Sequence, residues 1–135
     1  MRTVTETLQA AAVGATLSGA PSTVHAVLTG GDPLAAARAA GNIVLPADAT
    51  TGRLLAAGAA VHSAISLFWA TVLVQVLPRR RAVLWGAVAG LGIAALDLGL
   101  LARRFPLIRA LPVAPQWADH VAFGALVGAV VTVRR

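Results

Sequence analysis

The chain has 135 residues, 58% of them hydrophobic and 12% charged, with a mean hydropathy of +0.80. A soluble domain carries roughly a quarter charged residues, so too few polar groups exist to cover a water-facing surface, and the length suits one domain of three to five membrane spans. The net charge of +6 comes from arginines at the ends of apolar runs, which fits anchoring at anionic headgroups and not nucleic-acid binding; without Cys, Lys or Tyr, thiolate, Schiff-base and phenolic chemistry are excluded.

In chain order, residues 8–28 form the first expected span. Gly14, Ser18 and Ser22 recur every four residues, so they share a helix face on which another backbone can approach closely. Pro21 falls within this run, removes the bond to the Leu17 carbonyl and predicts a kink. Ser18-Gly19-Ala20 has the small-residue character of a leader cleavage site. Glu6 ahead of a weakly hydrophobic core, and proline directly after the site, favour a retained span instead. Gly30-Gly31 then breaks the helix. Asp32-Pro33 opens a short Ala-rich helix over 33–40, which ends at Gly41 and lies on the membrane or folds back onto the bundle. Residues 46–52 read as a polar turn.

The second span, 54–77, contains no charged residue. At ~1.5 Å per residue it is long enough for a ~30 Å hydrocarbon core. Pro78 and Arg79-Arg80-Arg81 close it and predict a tight antiparallel hairpin with the third span, 82–102. Gly86, Gly90 and Asp97 share a face of that third span. Residues 103–115 hold three prolines and three arginines among apolar residues, a pattern that suits an interfacial segment. The fourth span, 116–133, carries Trp117, Asp119, His120 and the pair Gly124/Gly128, with Arg134 and Arg135 as a final anchor. The fold class is therefore an all-α membrane bundle of four helices.

Alternating direction places His25, His62, Asp97, Asp119 and His120 in the same half of the membrane, opposite the tri-arginine loop. The two long connections lie on that side and are positioned to roof the group. Ionisable residues in a bilayer cost at least ~2.5–3.5 kcal/mol each, so they turn inward and pair. His62 and His120 share faces with Ser66 and with small residues, which predicts both histidines in the bundle interior. The same groups also fit a plain structural role as interhelical glue, worth ~0.6 kcal/mol per hydrogen bond. Three histidines and two carboxylates suffice in number for zinc or iron, but no tight His-x-x-x-His pair is present. Bracketing a haem iron demands equal depth, and His62 lies ~6 Å deeper than His120 by helix rise. Ser66, His62 and Asp97 lack a nucleophile elbow.

The stretches APSTVHAVLTGGDPLAAARAAG (20–41), VHSAIS and WADHVAFGALVGA resemble small four-span inner-membrane proteins of bacteria. The last of them is similar to the His-then-Gly-x-x-x-Gly ending of the YagU type. The resemblance implies a multi-pass inner-membrane protein and carries no activity or site residue with it.

The leading functional expectation is a structural or accessory membrane protein, not an enzyme. It would meet a membrane partner or a second copy through Gly86, Gly90, Gly124 and Gly128. The alternative is a binding protein whose pocket of His25, His62, Ser66, Asp97, Asp119 and His120 holds haem, a metal or an amphipathic ligand such as a quinone. A proton- or ion-coupled transporter acting as an oligomer is the third. The expected location is the bacterial plasma membrane with both termini cytoplasmic. That orientation puts Arg2, Arg79, Arg80, Arg81, Arg134 and Arg135 inside against Arg38, Arg53, Arg103, Arg104 and Arg109 outside.

Overall fold

A computed structural model describes residues 3–133, and every regular element among them is helical. The expected anchors Arg2, Arg134 and Arg135 lie outside the described residues. Three helical runs are long and apolar enough to cross a membrane: Thr51–Val76, Ala82–Arg104 and Val113–Val133. Helix is the state lipid demands, because each backbone group must find its partner within its own segment.

The first expected span is not among these three. Residues 8–28 are divided between α1 (Val4–Leu17) and α2 (Ala20–Leu28), which part at Ser18-Gly19. Pro21 stands in the first turn of α2, where its missing N–H costs nothing. Further inside a continuous helix the same ring would crowd the Leu17 carbonyl. With flexible Gly19 just ahead, the chain restarts a helix instead of kinking one. Thr3 caps α1, its Oγ1 accepting from the Glu6 N–H at 3.1 Å, which is half of a capping box. A Schellman turn ends α2. Gly30, at φ +71°, donates to Val27, and Gly31 donates to Ala26 at 2.7 Å.

The short helix α3 spans Ala35–Gly41 and begins later than expected. Asp32 holds the turn before it, accepting from the Leu34 N–H at 2.8 Å and pairing with Arg38. α3 folds back onto the start of α4 (Thr51–Val76). A methyl group added to Gly41 would overlap the Leu54 carbonyl, and one added to Gly58 would overlap that of Ala37. α4 starts at Thr51 and stops at Val76, because Leu77 is held extended ahead of Pro78.

α5 (Ala82–Leu96) continues through a π turn at Asp97–Leu101 and a 3-10 turn at Ala102–Arg104. The expected hairpin of α4 with α5 does not form: the two are joined by a short loop but scarcely touch. α5 instead packs along α7 (Val113–Val133), which lies at the centre of the bundle against α1, α2, α4 and α5. Glycine decides this pairing. A methyl on Gly86 would overlap the Gly124 carbonyl and the reverse holds too, while Gly90 meets the His120 backbone and Gly128 that of Ala82. The four glycines expected to meet a partner thus meet the neighbouring helix of their own chain. Between α5 and α7 lies α6 (Pro106–Arg109). α7 begins at Val113, and Pro115 is tolerated in its first turn.

Away from the chain break, α1, α4 and α7 close over a dry core of Ala10, Ala11, Ala70, Leu73, Val74, Phe123, Val127 and Val131. Phe68, Trp85, Leu91 and Leu100 face outward. Apolar surface of this extent on all sides is what lipid covers.

Candidate ligand pocket

A helix broken inside a bundle exposes backbone groups that need partners. The Ala15 carbonyl would bond Gly19 in a continuous helix, but Gly19 lies past the end of α1. His62 from α4 takes its place, with Nε2 2.8 Å from the Ala15 oxygen. A carbonyl only accepts, so Nε2 carries the hydrogen and donates. At the other side of the break, the Ser22 N–H in the first turn of α2 donates to Asp119 Oδ1 at 2.9 Å. Asp119 of α7 thus caps α2 from a neighbouring helix, and a carboxylate there also meets the positive end of the helix dipole. Two residues singled out for chemistry therefore repair the two ends of one break.

His120 and Asp97 have no such duty. His120 Nδ1 lies 2.8 Å from the Gln116 carbonyl and must donate to it, while Nε2 lies 3.3 Å from Asp97 Oδ2. One proton occupies this second contact, as imidazolium facing carboxylate or as neutral imidazole facing a carboxylic acid. The pair is half-buried, and either partner, when protonated, can donate to the other across this contact. Asp97 also opens the π turn, in which the Ala102 N–H reaches back five residues to the Asp97 carbonyl. Such turns widen a helix locally and redirect its side chains.

Two cavities meet at these residues. The larger, about 200 Å³, has apolar walls from Val61, Ile65, Leu98 and Ile108. The smaller, about 150 Å³, lies between the break, α4 and the α5/α7 pair. His62, Ile65, Asp97, Asp119 and His120 line both. Ala36 and Ala39 of α3 and Phe105 beyond α5 roof the larger one. Buried Asn42 fastens that roof: its Nδ2 donates to the Leu45 carbonyl at 3.0 Å and its Oδ1 accepts from the Leu107 N–H at 3.2 Å.

Of the six residues singled out from the sequence, four (His62, Asp97, Asp119 and His120) thus share two cavities. Ser66 is buried and lines the smaller cavity only. His25 stands apart and lines a separate cavity of about 110 Å³ with Asp32 and Gln116. His62 was expected to be buried between helices, and this is corrected: it is exposed, because the cavities hold its surroundings open. Sequence reasoning passed over Asn42 and Gln116. Gln116 lines both the His25 cavity and the larger pocket and orients His120 through its carbonyl. Its signal was the four-residue spacing to His120, and that of Asn42 was its place after a helix-ending glycine. Outside the spans, the Leu34 N–H and then Arg38 hold the exposed Asp32 carboxyl below its ordinary value of 3.8.

Among the described residues no three His, Asp or Glu side chains converge as a metal requires. The two Nε2 atoms that would bracket a haem iron are engaged, one by Ala15 and one by Asp97. The cavity thus combines a group of polar side chains, Asp97 and His120 among them, with apolar walls. Comparison of the chain with protein-family models, curated proteins and solved structures yields no match.

Proposed function

We propose that this is a multi-pass membrane protein without catalytic machinery, whose Asp97–His120 pair holds the polar head of a small amphipathic ligand of the quinone class. The observation that carries the reading is the position of the pair, which lines a cavity of about 200 Å³ together with His62, Asp119 and Gln116 and opposite apolar walls from Val61, Ile65, Leu98 and Ile108. On binding, a quinone carbonyl accepts a hydrogen bond from the protonated member of the pair in competition with the 3.3 Å contact between Nε2 and Oδ2, and its ring and tail suit the apolar walls. The test is equilibrium dialysis of the protein in mild detergent against a short-chain quinone. The expected result is one saturable equivalent, weakened at least tenfold in Asp97→Leu/His120→Leu with helicity unchanged. Equal binding by the double variant would overturn the assignment.

The structural or accessory role is the second reading. Its support is that His62 and Asp119 already serve the helix break. In both readings α1 and α2 together make a fourth crossing, and α3 and α6 lie at the interface. The membrane is the bacterial inner membrane and both termini are cytoplasmic. A C-terminal fluorescent-protein fusion should then fold and fluoresce, whereas activity from a periplasmic reporter at that end would reverse the orientation.

A further inference from the structure

The turn between α5 and α7 carries a cleft of about 380 Å³ that adjoins the larger cavity and shares Leu98, Ile108 and Gln116 with it. Arg103 and Arg109 line it, with Leu98, Ile108, Val113 and Trp117. No carboxylate stands on its walls. Among the described residues the ion pairs are Asp32 with Arg38 and Asp97 with His120, so neither cleft arginine is neutralised by an acid. The cleft thus joins two uncompensated guanidinium groups to apolar walls, at the end shared by two of the helices able to cross a membrane. Trp117 adds an amphipathic ring of the kind found at headgroup depth.

We propose that this cleft is a binding site for one anionic glycerophospholipid. Arg103 and Arg109 clasp the phosphate, to which planar guanidinium donors bond in forked pairs. The first part of an acyl chain lies along Leu98, Ile108 and Val113. Charge complementarity selects this occupant: a zwitterionic lipid would bring its own cation to two arginines, and a free phosphate would leave the apolar walls unused. A discrete cleft between helices also differs from diffuse headgroup attraction, which has no stoichiometry.

Native mass spectrometry of the protein in detergent tests this. The probes are phosphatidylglycerol, phosphatidylcholine and inorganic phosphate, each added alone and in competition. The expected result is one retained phosphatidylglycerol, at least tenfold preferred over phosphatidylcholine and not displaced by millimolar phosphate. Arg103→Gln/Arg109→Gln should abolish the preference, Arg103→Lys/Arg109→Lys should restore part of it, and Arg80→Gln/Arg81→Gln on the opposite loop should leave it intact. Far-UV circular dichroism establishes that each variant is folded. Equal retention of both lipids, displacement by phosphate alone, or an equal loss from the Arg80/Arg81 variant would each overturn the site.

Discussion

The two ends of the bundle solve the same problem in opposite ways. Toward the tri-arginine loop, α5 and α7 close backbone to backbone on Gly86 and Gly124, and α1, α4 and α7 pack small and β-branched residues into a dry core. Toward the long connections, α1 gives way to α2, α5 relaxes into a π turn, and two cavities open among polar groups. The tight end saves area by removing side chains, which is how helices associate where lipid supplies no hydrophobic drive. The open end carries exposed backbone groups and meets them with His62 and Asp119. Among the polar residues that line the cavities at the open end, His62 and Asp119 repair the backbone, whereas Asp97 and His120 pair with each other.

The tight end should be the more fragile. Gly124→Leu places atoms where the Gly86 carbonyl stands, so α5 and α7 must separate. We expect a loss on the order of 3 kcal/mol, read as a shifted unfolding midpoint in detergent. Gly92→Leu is the control, because a side chain there meets open space.

Next in size are the single variants of the Asp97–His120 pair. His120→Leu strands a half-buried carboxyl and Asp97→Leu strands a half-buried imidazole, each costing about 1–3 kcal/mol. The double Leu variant, which strands neither group, should regain most of that stability. A double-mutant cycle with additive losses would break the claim that they act as one unit.

His62→Leu comes third, at about 1 kcal/mol, because it removes the donor to Ala15 and leaves Asp97 and His120 in place. If His62 only repairs the break, quinone affinity should change less than threefold; a tenfold loss would move it from backbone repair to the ligand. The smallest effect is expected outside the spans. The Asp32 carboxyl is held below its ordinary value, so its contribution to the α3 turn is complete above pH 3.8 and is lost as pH falls through the lower, folded value. Asp32→Asn should flatten that acid limb of an unfolding curve by lowering stability slightly at neutral pH, while leaving it nearly unchanged at the acid end where the carboxyl is already protonated.

Much of this architecture was legible from residues alone. The uncharged run over 54–77, the Pro78 stop and the Gly-x-x-x-Gly faces each follow from local chemistry, and the helices of the last two spans began within a few residues of expectation. Pro21 marked the right place and the wrong event. A proline inside an apolar run reads as a kink, and only the neighbouring Ser18-Gly19, the His62 donor on α4 and the Asp119 acceptor on α7 make a complete break affordable. Pairing was less legible still. A four-residue basic loop argues that α4 and α5 lie together, but close approach depends on which glycines face each other, and those of α5 match α7. For the site, one side of the membrane could be assigned by counting helix rise. The division of labour between Asp119 and His120 could not, because adjacent residues point about 100° apart on a helix and serve different neighbours.

The claim that the open end holds a ligand on Asp97 and His120 is tested most directly by Trp69. This tryptophan lines the smaller cavity beside both residues, and Trp85→Phe/Trp117→Phe leaves it as the sole indole among the chain's three tryptophans. Titration of that variant with a short-chain quinone should quench its fluorescence along a saturable curve, and the curve should become linear and shallow when Asp97→Leu/His120→Leu is added. Quenching that is linear from the start, or that saturates identically with and without the pair, would contradict the account.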